Sequence, residues 1–200
     1  KFNIKEEVKD LRHELKLPPN KSIVLYVGHL YKWKGVDVII NAAEALLDRD
    51  DIVFAVVGGT EKDIEKYNNI VKEKKLINLL LLGHFNHKIV PKFLKAANVL
   101  LLPNIPVTDE SVKYTSPIKM FEYMASQRPI IASDLPSLRE ILNNKNSLFC
   151  APGDHDDLIN KIILILNNKK LSDELSSRAY EDVKEFTWEA RAKKILYFIK

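Results

Sequence analysis

Six short apolar runs, each followed by a stretch with helical spacing, limit what this chain can fold into more than any other feature. The runs cover residues 23–27, 52–57, 79–82, 99–102, 130–132 and 147–149. They are nearly continuous in Val, Ile and Leu, the pattern of strands buried on both faces of a sheet. Between the first two, Val36, Ile39, Ile40, Ala43, Leu46 and Leu47 recur at helical spacing, and comparable stripes follow around residues 61–75, 88–96, 117–126 and 136–142. Repeated strand and helix units with right-handed crossovers predict a parallel, Rossmann-like α/β sheet with helices on both faces. Six strands are too few to close an eight-stranded barrel.

After Pro152 the pattern is purely helical, with Asp154, Ser172 and Thr187 as expected caps of successive helices. Residues 4–17 form an amphipathic segment that stops at Pro18 and Pro19. The expected organisation is an N-terminal helix and linker (residues 1–21), one α/β domain with added C-terminal helices (22–186), and a last helix (187–200). That last helix carries a stripe of Trp188, Ala192, Ile195 and Ile199 beside Tyr197 and Phe198, and is expected to pack on the domain or toward a missing N-terminal half. A length of 200 residues suits a single well-filled core, and the start at Lys1 reads as a piece of something longer.

Several classes fall away. The net charge is only +4, and Lys and Arg are interspersed with Asp and Glu, so no basic arm argues for a nucleic-acid partner. Cys150 is the single cysteine, which rules out an intrachain disulfide or a cysteine metal cluster and favours a reducing compartment, by default the cytoplasm. Neither a membrane-span-length apolar run nor signal-peptide order is present. The dinucleotide fingerprint GxGxxG and the P-loop GxxxxGK[ST] are also missing, so a nicotinamide dehydrogenase or a P-loop NTPase is not expected.

Ligands of open parallel sheets bind beyond the carboxyl ends of the strands. Gly28, Gly35, Gly58, Gly59 and Gly83, five of the six glycines, fall at or just past such ends. Close approach of phosphates to main chain would need them there, although strand-to-helix turns also use glycine for their own geometry. Ser116 and Pro117 fit the cap and first position of a helix, leaving the amides of Ile118 and Lys119 free for an anion. Dipole and amides alone contribute about 0.3–2 kcal/mol, so a cation must add to them, and Lys34 is the candidate. Glu122 lies one turn after Lys119, placed to meet ribose hydroxyls; its alternative is a surface pair with Lys119. Trp33 is either ligand-facing or packed. His29, His84 and His87 lack carboxylate or cysteine companions at ligand spacing, so a metal site is not expected. Cys150 reads as a small buried residue with no partner base.

The segments YVGHLYKWKGV from Tyr26, VVGG from Val56, LGHF from Leu82, ANVLLLP from Ala97, SPIKMFEYMA from Ser116, PIIASD from Pro129 and PGD from Pro152 follow one another in a known order. From about Ser22 onward the chain resembles the C-terminal domain of glycosyltransferase family 4, the group 1 glycosyltransferases of the GT-B fold. The resemblance implies binding of a nucleoside diphosphate sugar and transfer of its sugar with retention of configuration, with no metal or other cofactor. By position, Lys34 resembles the diphosphate-binding lysine and Glu122 the second glutamate of the Glu-x7-Glu motif, which holds the ribose. Residues 116–118 resemble the loop whose amides meet the phosphates, and Gly83, His84 and Phe85 the turn lining the nucleobase. Gly28, Gly58, Tyr114, Thr115 and Lys119 complete the expected donor-binding set. The implied partners are the nucleotide sugar and a missing acceptor-binding N-terminal domain; the 200-residue piece alone should bind donor and transfer little. At family level the resemblance also implies work at the inner face of the cell membrane, with peripheral association of the full-length protein.

Two positions depart from the pattern. His29 stands where the family commonly has an arginine against the diphosphate, and Tyr114 stands where the first glutamate would be. Asp109 or Glu110, expected on a long loop, are the stand-in carboxylates to consider. A non-hydrolysing nucleotide-sugar epimerase of the same fold, and a non-catalytic nucleotide-sugar-binding module, stay open beside the transferase.

Overall fold

The computed structural model of the chain describes residue 4 and residues 6–113 and 118–199. Strands β1 (Ser22–Val27), β2 (Ile52–Val57), β3 (Leu79–Gly83), β4 (Val99–Leu102), β5 (Ile130–Ser133) and β6 (Leu148–Cys150) form one sheet in the order β3-β2-β1-β4-β5-β6. All neighbouring strands are parallel. Around the sheet lie α1 (Val8–Glu14), α2 (Val36–Ala45), α3 (Glu61–Glu73), α4 (Val90–Ala96), α5 (Asp109–Lys113), α6 (Ile118–Ala125), α7 (Pro136–Arg139), α8 (His155–Asn167), α9 (Lys169–Val183) and α10 (Trp188–Phe198). The chain winds outward from β1 to β3, returns across β1 to β4, and winds the other way to β6. The expected doubly wound α/β fold is therefore the one observed, with its switch point between β1 and β4.

Alternation along each strand feeds two layers. On β1, Ile23, Leu25 and Val27 join Leu11 of α1, Phe93 of α4 and Tyr123 of α6 in one core, while Val24 and Tyr26 join Ile39 of α2, Tyr67 of α3 and Leu158 of α8 in the other. Each fully buried side chain of this kind contributes about 1.5–3 kcal/mol. Thr60 and Asp63 close a capping box on α3, and Asp154 and Thr187 cap α8 and α10 as the sequence predicts. Ser172 does not cap its helix. Asn168 does, its side chain accepting from the Leu171 amide, because α9 starts four residues before the expected position, at Lys169.

Two further boundaries differ. The first helix covers only Val8–Glu14, because Glu7 is extended (φ −67°, ψ 146°) and Lys16 turns left-handed at φ 54°. Leu17 then folds back to donate to the Arg12 carbonyl at 2.8 Å, so Leu11, Leu15 and Leu17 all enter the sheet's own core. Asp109 lies on the short helix α5, not on a loop, and its carboxylate sits 3.5 Å from Lys113 Nζ. Cys150 belongs to β6 itself. Its thiol is buried 3.6 Å from the Ala132 carbonyl oxygen, and burial pushes its pKa up to about 12, leaving it inert. No helix among the described residues is long and apolar enough to cross a membrane.

Arg12 holds α1 in place. Its guanidinium donates to the carbonyls of Ala96, Pro19 and Lys21 at 3.1, 2.9 and 3.0 Å and to Asn98 Oδ1 at 2.6 Å. Asn98 Oδ1 also accepts from the Ile23 amide, so the network joins α1, the proline linker and the amino ends of β1 and β4. Arg12→Ala leaves the buried Ala96 carbonyl and three part-buried acceptors without their donor, and is expected to destabilise by about 2–4 kcal/mol in urea unfolding. A loss below about 0.5 kcal/mol would show that water replaces the guanidinium without cost.

Candidate nucleotide-sugar site

Beside the switch point, a crevice runs along the carboxyl edge of β1, β2 and β3. It encloses about 780 Å³ and is lined by Gly28, His29, Gly58, Gly59, Thr60, His84, Phe85, His87 and Val90, among others. That volume suits a nucleotide-sized ligand. Its floor is main chain: Gly28 N donates to the Val57 carbonyl at 2.8 Å and Gly58 N to that of Gly83 at 2.7 Å. Gly58, at φ 121°, passes so near Gly28 that a Cβ on it would lie 2.1 Å from the Gly28 carbonyl oxygen. Here glycine is required by close approach, the stricter of the two readings of the cluster.

Lys34 ends a short 3-10 turn (Lys32–Lys34) after β1, and Gly35 then enters α2 at φ 75°. The lysine is 8% exposed, its ammonium lies 3.6 Å from the centroid of the Trp33 ring, and burial lowers its pKa to about 8. Trp33 thus supports Lys34, a cation–π contact that keeps the ammonium from collapsing onto the surface.

Helix α6 is registered against β1 by Tyr123, whose phenol oxygen accepts from the Val27 amide at 2.8 Å. One turn earlier, Lys119 extends beneath Gly28: its Nζ would lie 3.1 Å from a Gly28 Cβ, and it stands 3.9 Å from the centroid of the Tyr26 ring. This ammonium is buried and has no hydrogen-bond partner among the described residues. Burial first, and the charge of Lys34 second, push its pKa well below the usual lysine value. Glu122, on the same face of α6, pairs elsewhere. Its Oε1 is 2.6 Å from Nε2 of His87 on the turn after β3, with the glutamate side chain 14% exposed. The surface pair of Glu122 with Lys119 is therefore not formed.

The crevice brings together Gly28, His29, Gly58, His84 and Phe85 from the expected set, with Gly83 bonded to its wall and Glu122 reaching it through His87. His29 stacks on Tyr31 with ring centroids 5.1 Å apart, and Phe85 packs edge-on to Phe93 at 4.8 Å. Ile118 is 76% exposed on the far side of α6, lining a second groove with Phe121, Phe186 and Trp188. Tyr114, Thr115, Ser116 and Pro117 lie outside the described residues. Among the described residues, no group of three or more His, Cys, Asp or Glu side chains could hold a metal ion. Sequence reasoning missed two features: the placement of the Lys119 ammonium, and His87 as partner of Glu122 from 35 residues away. The first had a signal, a lysine between Ile118 and Met120 on a helix whose inner face is apolar; the second had none.

A glycine-walled crevice at the carboxyl ends of β1, β2 and β3 is where doubly wound α/β domains take their ligands, and it defines the chain as a domain of that class. Residues 7–182 match the family described as "Glycosyl transferases group 1", and the chain belongs to that family. An uncharacterized glycosyltransferase of Methanocaldococcus jannaschii is 30% identical over 166 residues, spanning 82% of this chain and 44% of the relative. The poly(ribitol-phosphate) alpha-N-acetylglucosaminyltransferase of Staphylococcus aureus is 28% identical over 172 residues, 82% of this chain and 32% of its own. The chain thus spans less than half the length of these curated relatives. Among solved structures, sucrose-phosphate synthase from Thermosynechococcus elongatus superposes with a TM-score of 0.80 at 26% identity, over 95% of this chain and 47% of that one. HepE of Anabaena, solved with UDP and glucose, shares the fold at a TM-score of 0.77 and 17% identity, over 89% of this chain and 47% of that one.

Proposed function

We propose that this chain is the donor-binding half of a retaining, metal-independent glycosyltransferase, which moves a sugar from a nucleoside diphosphate sugar to a glycan or lipid-linked acceptor. The observation that carries this reading is the meeting of buried Lys34, the main-chain crevice at Gly28 and Gly58, and Glu122 on one edge of the sheet. The UDP and UDP-glucose complexes of HepE, a protein of the same fold, support it.

In this reading the diphosphate lies along Gly28 and Gly58, and Lys34 with the amides of Ile118 and Lys119 at the start of α6 absorbs its charge. As the sugar leaves, the electron pair of its bond passes to the phosphate oxygen, where a fixed cation counts for more than it does in the ground state. A carboxylate offers two oxygens, and His87 takes one; the other accepts from the ribose hydroxyls. Phe85 presents an apolar surface to the base and His84 its edge. The acceptor comes from an N-terminal half, and α10, with Trp188, Tyr197 and Phe198 all more than 80% exposed, is the surface that docks toward it. The complete protein would work in the cytoplasm at the membrane face, and this piece alone would bind donor and transfer little.

Calorimetric titration with UDP, GDP and ADP in the presence of EDTA tests the site. One nucleotide is expected to bind at micromolar to millimolar strength, roughly 4–8 kcal/mol, and Lys34→Ala and Glu122→Ala are each expected to weaken it about tenfold or more. Binding of none of them, or binding indifferent to both substitutions, would sink the donor-site reading. With the complete protein, an altered free nucleotide sugar made without acceptor would point to the epimerase, and a donor bound but never consumed to a non-catalytic module.

A further inference from the structure

We infer that Lys119, through its side-chain ammonium, is a second cation of the crevice, placed beneath Gly28 so that it and Lys34 together clamp a diphosphate. The inference rests on reading the crevice as a donor site, and it assigns to the side chain a role that the helix-start amides alone do not fill.

An ammonium carries three donors and no acceptor, and Lys119 Nζ is buried with none of them satisfied among the described residues. The face of Tyr26 at 3.9 Å offsets part of the cost, but the phenol of Tyr26 is engaged elsewhere, donating to the His29 carbonyl at 2.6 Å. The charged group facing Lys119 from the neighbouring elements is another cation, Lys34. Glu122, three residues on and on the same face of α6, is engaged by His87 at 2.6 Å and makes no bond to Lys119. Two lysines thus approach one another with no carboxylate of the described residues between them, an arrangement a folded chain avoids unless an anion completes it. As packing, a methionine or leucine would fill the same space without the desolvation cost.

Position supplies the rest. A Cβ added to Gly28 would meet Lys119 Nζ at 3.1 Å and the Tyr26 hydroxyl at 3.2 Å, so that glycine is the thin wall between ammonium and crevice. A phosphate against the Gly28 main chain comes within reach of Lys119, and the charge of Lys34, close enough to perturb Lys119, adds to it there.

The test compares wild type with Lys119→Met, an uncharged side chain of similar length, by calorimetry and thermal melting. The readout is the ratio of affinities for a nucleoside diphosphate and the matching monophosphate, using UDP/UMP, GDP/GMP or ADP/AMP, whichever base binds. In Lys119→Met the diphosphate is expected to lose about tenfold or more while the monophosphate changes little, and the unliganded chain is expected to melt higher because a buried polar group with no partner is gone. A ratio unchanged in a variant that folds overturns the inference whatever its melting temperature. So does a lowered melting temperature with both nucleotides weakened equally, since that marks a structural lysine. If Lys119→Met fails to fold, Lys119→Gln is read by the same ratio. If wild type binds no nucleoside diphosphate, the donor-site reading falls and this inference with it; if wild type binds and the variant binds equally well, only the role of Lys119 falls.

Discussion

Replacing Gly35 with alanine is expected to destabilise the domain by about 3–5 kcal/mol, a large part of the 5–15 kcal/mol that typically holds a domain together. The residue sits at φ 75°, where an L side chain itself costs about 1–2 kcal/mol. Steric overlap costs more. A Cβ there would stand 1.7 Å from the carbonyl oxygen of Pro103 and 2.7 Å from its carbonyl carbon, and both partners are backbone, so no rotamer change relieves the clash. The loops after β1 and β4 cannot simply part, because the Ile105 amide donates to the Trp33 carbonyl at 2.9 Å. Relief has to come from the turn carrying Trp33 and Lys34, so nucleotide affinity should fall along with stability. Urea unfolding of Gly35→Ala beside wild type checks this, and a loss under about 1 kcal/mol would mean that the two loops separate more easily than their packing implies.

Nucleotide affinity is expected to fall steeply above about pH 8, approaching tenfold per pH unit for each proton the complex must hold. Lys34 is lowered from the usual 10.5 to about 8 by burial in the unliganded chain, with Trp33 against its ammonium. An anion needs the charged form, so below pH 8 Lys34 is ready, while above it binding must first take up a proton. The stability of the unliganded chain should run the other way. Between about pH 8 and the usual 10.5 the unfolded chain holds a proton that native Lys34 has released, so stability rises with pH across that window. Titrations across the alkaline range with wild type and Lys34→Arg decide the matter, because arginine stays charged there. A wild-type affinity flat through pH 9, or the same fall in Lys34→Arg, would remove Lys34 as the titrating group.

How much of the fold was legible in the sequence follows from which forces act locally. The strands were readable almost to the residue because a parallel strand buried on both faces, such as Ile52–Val57, tolerates no polar position. Caps were readable where the side chain bonds its own helix, as Asp154 does. Ser172 failed because Asn168, a few residues earlier, offers the same chemistry, and local pattern cannot rank two good caps. The ends of α1 were hidden because the turn at Lys16 is driven by burial of Leu15 and Leu17 and by Arg12, whose acceptors lie as far away as Ala96 and Asn98. At the site, single residues on turns and helix starts were legible, and pairings across the fold were not. Spacing put Lys119 beside Glu122; the Tyr123 bond to Val27 instead turns one toward Gly28 and the other toward His87.

The Arg12 network lies at the amino ends of β1 and β4, and the ligand crevice at the carboxyl edge, with the strands' full length between them. A strand of this length spans roughly 20 Å, beyond the roughly 7–10 Å within which substitutions usually couple. The two edges are therefore thermodynamically separate handles on one domain. Changes around Arg12, Pro19 and Asn98 can raise or lower robustness while leaving ligand preference alone, and changes in the turns after the strands can retune preference from a constant reserve of stability. A lineage of such domains could diversify its ligands on one edge while the other keeps the chain folded.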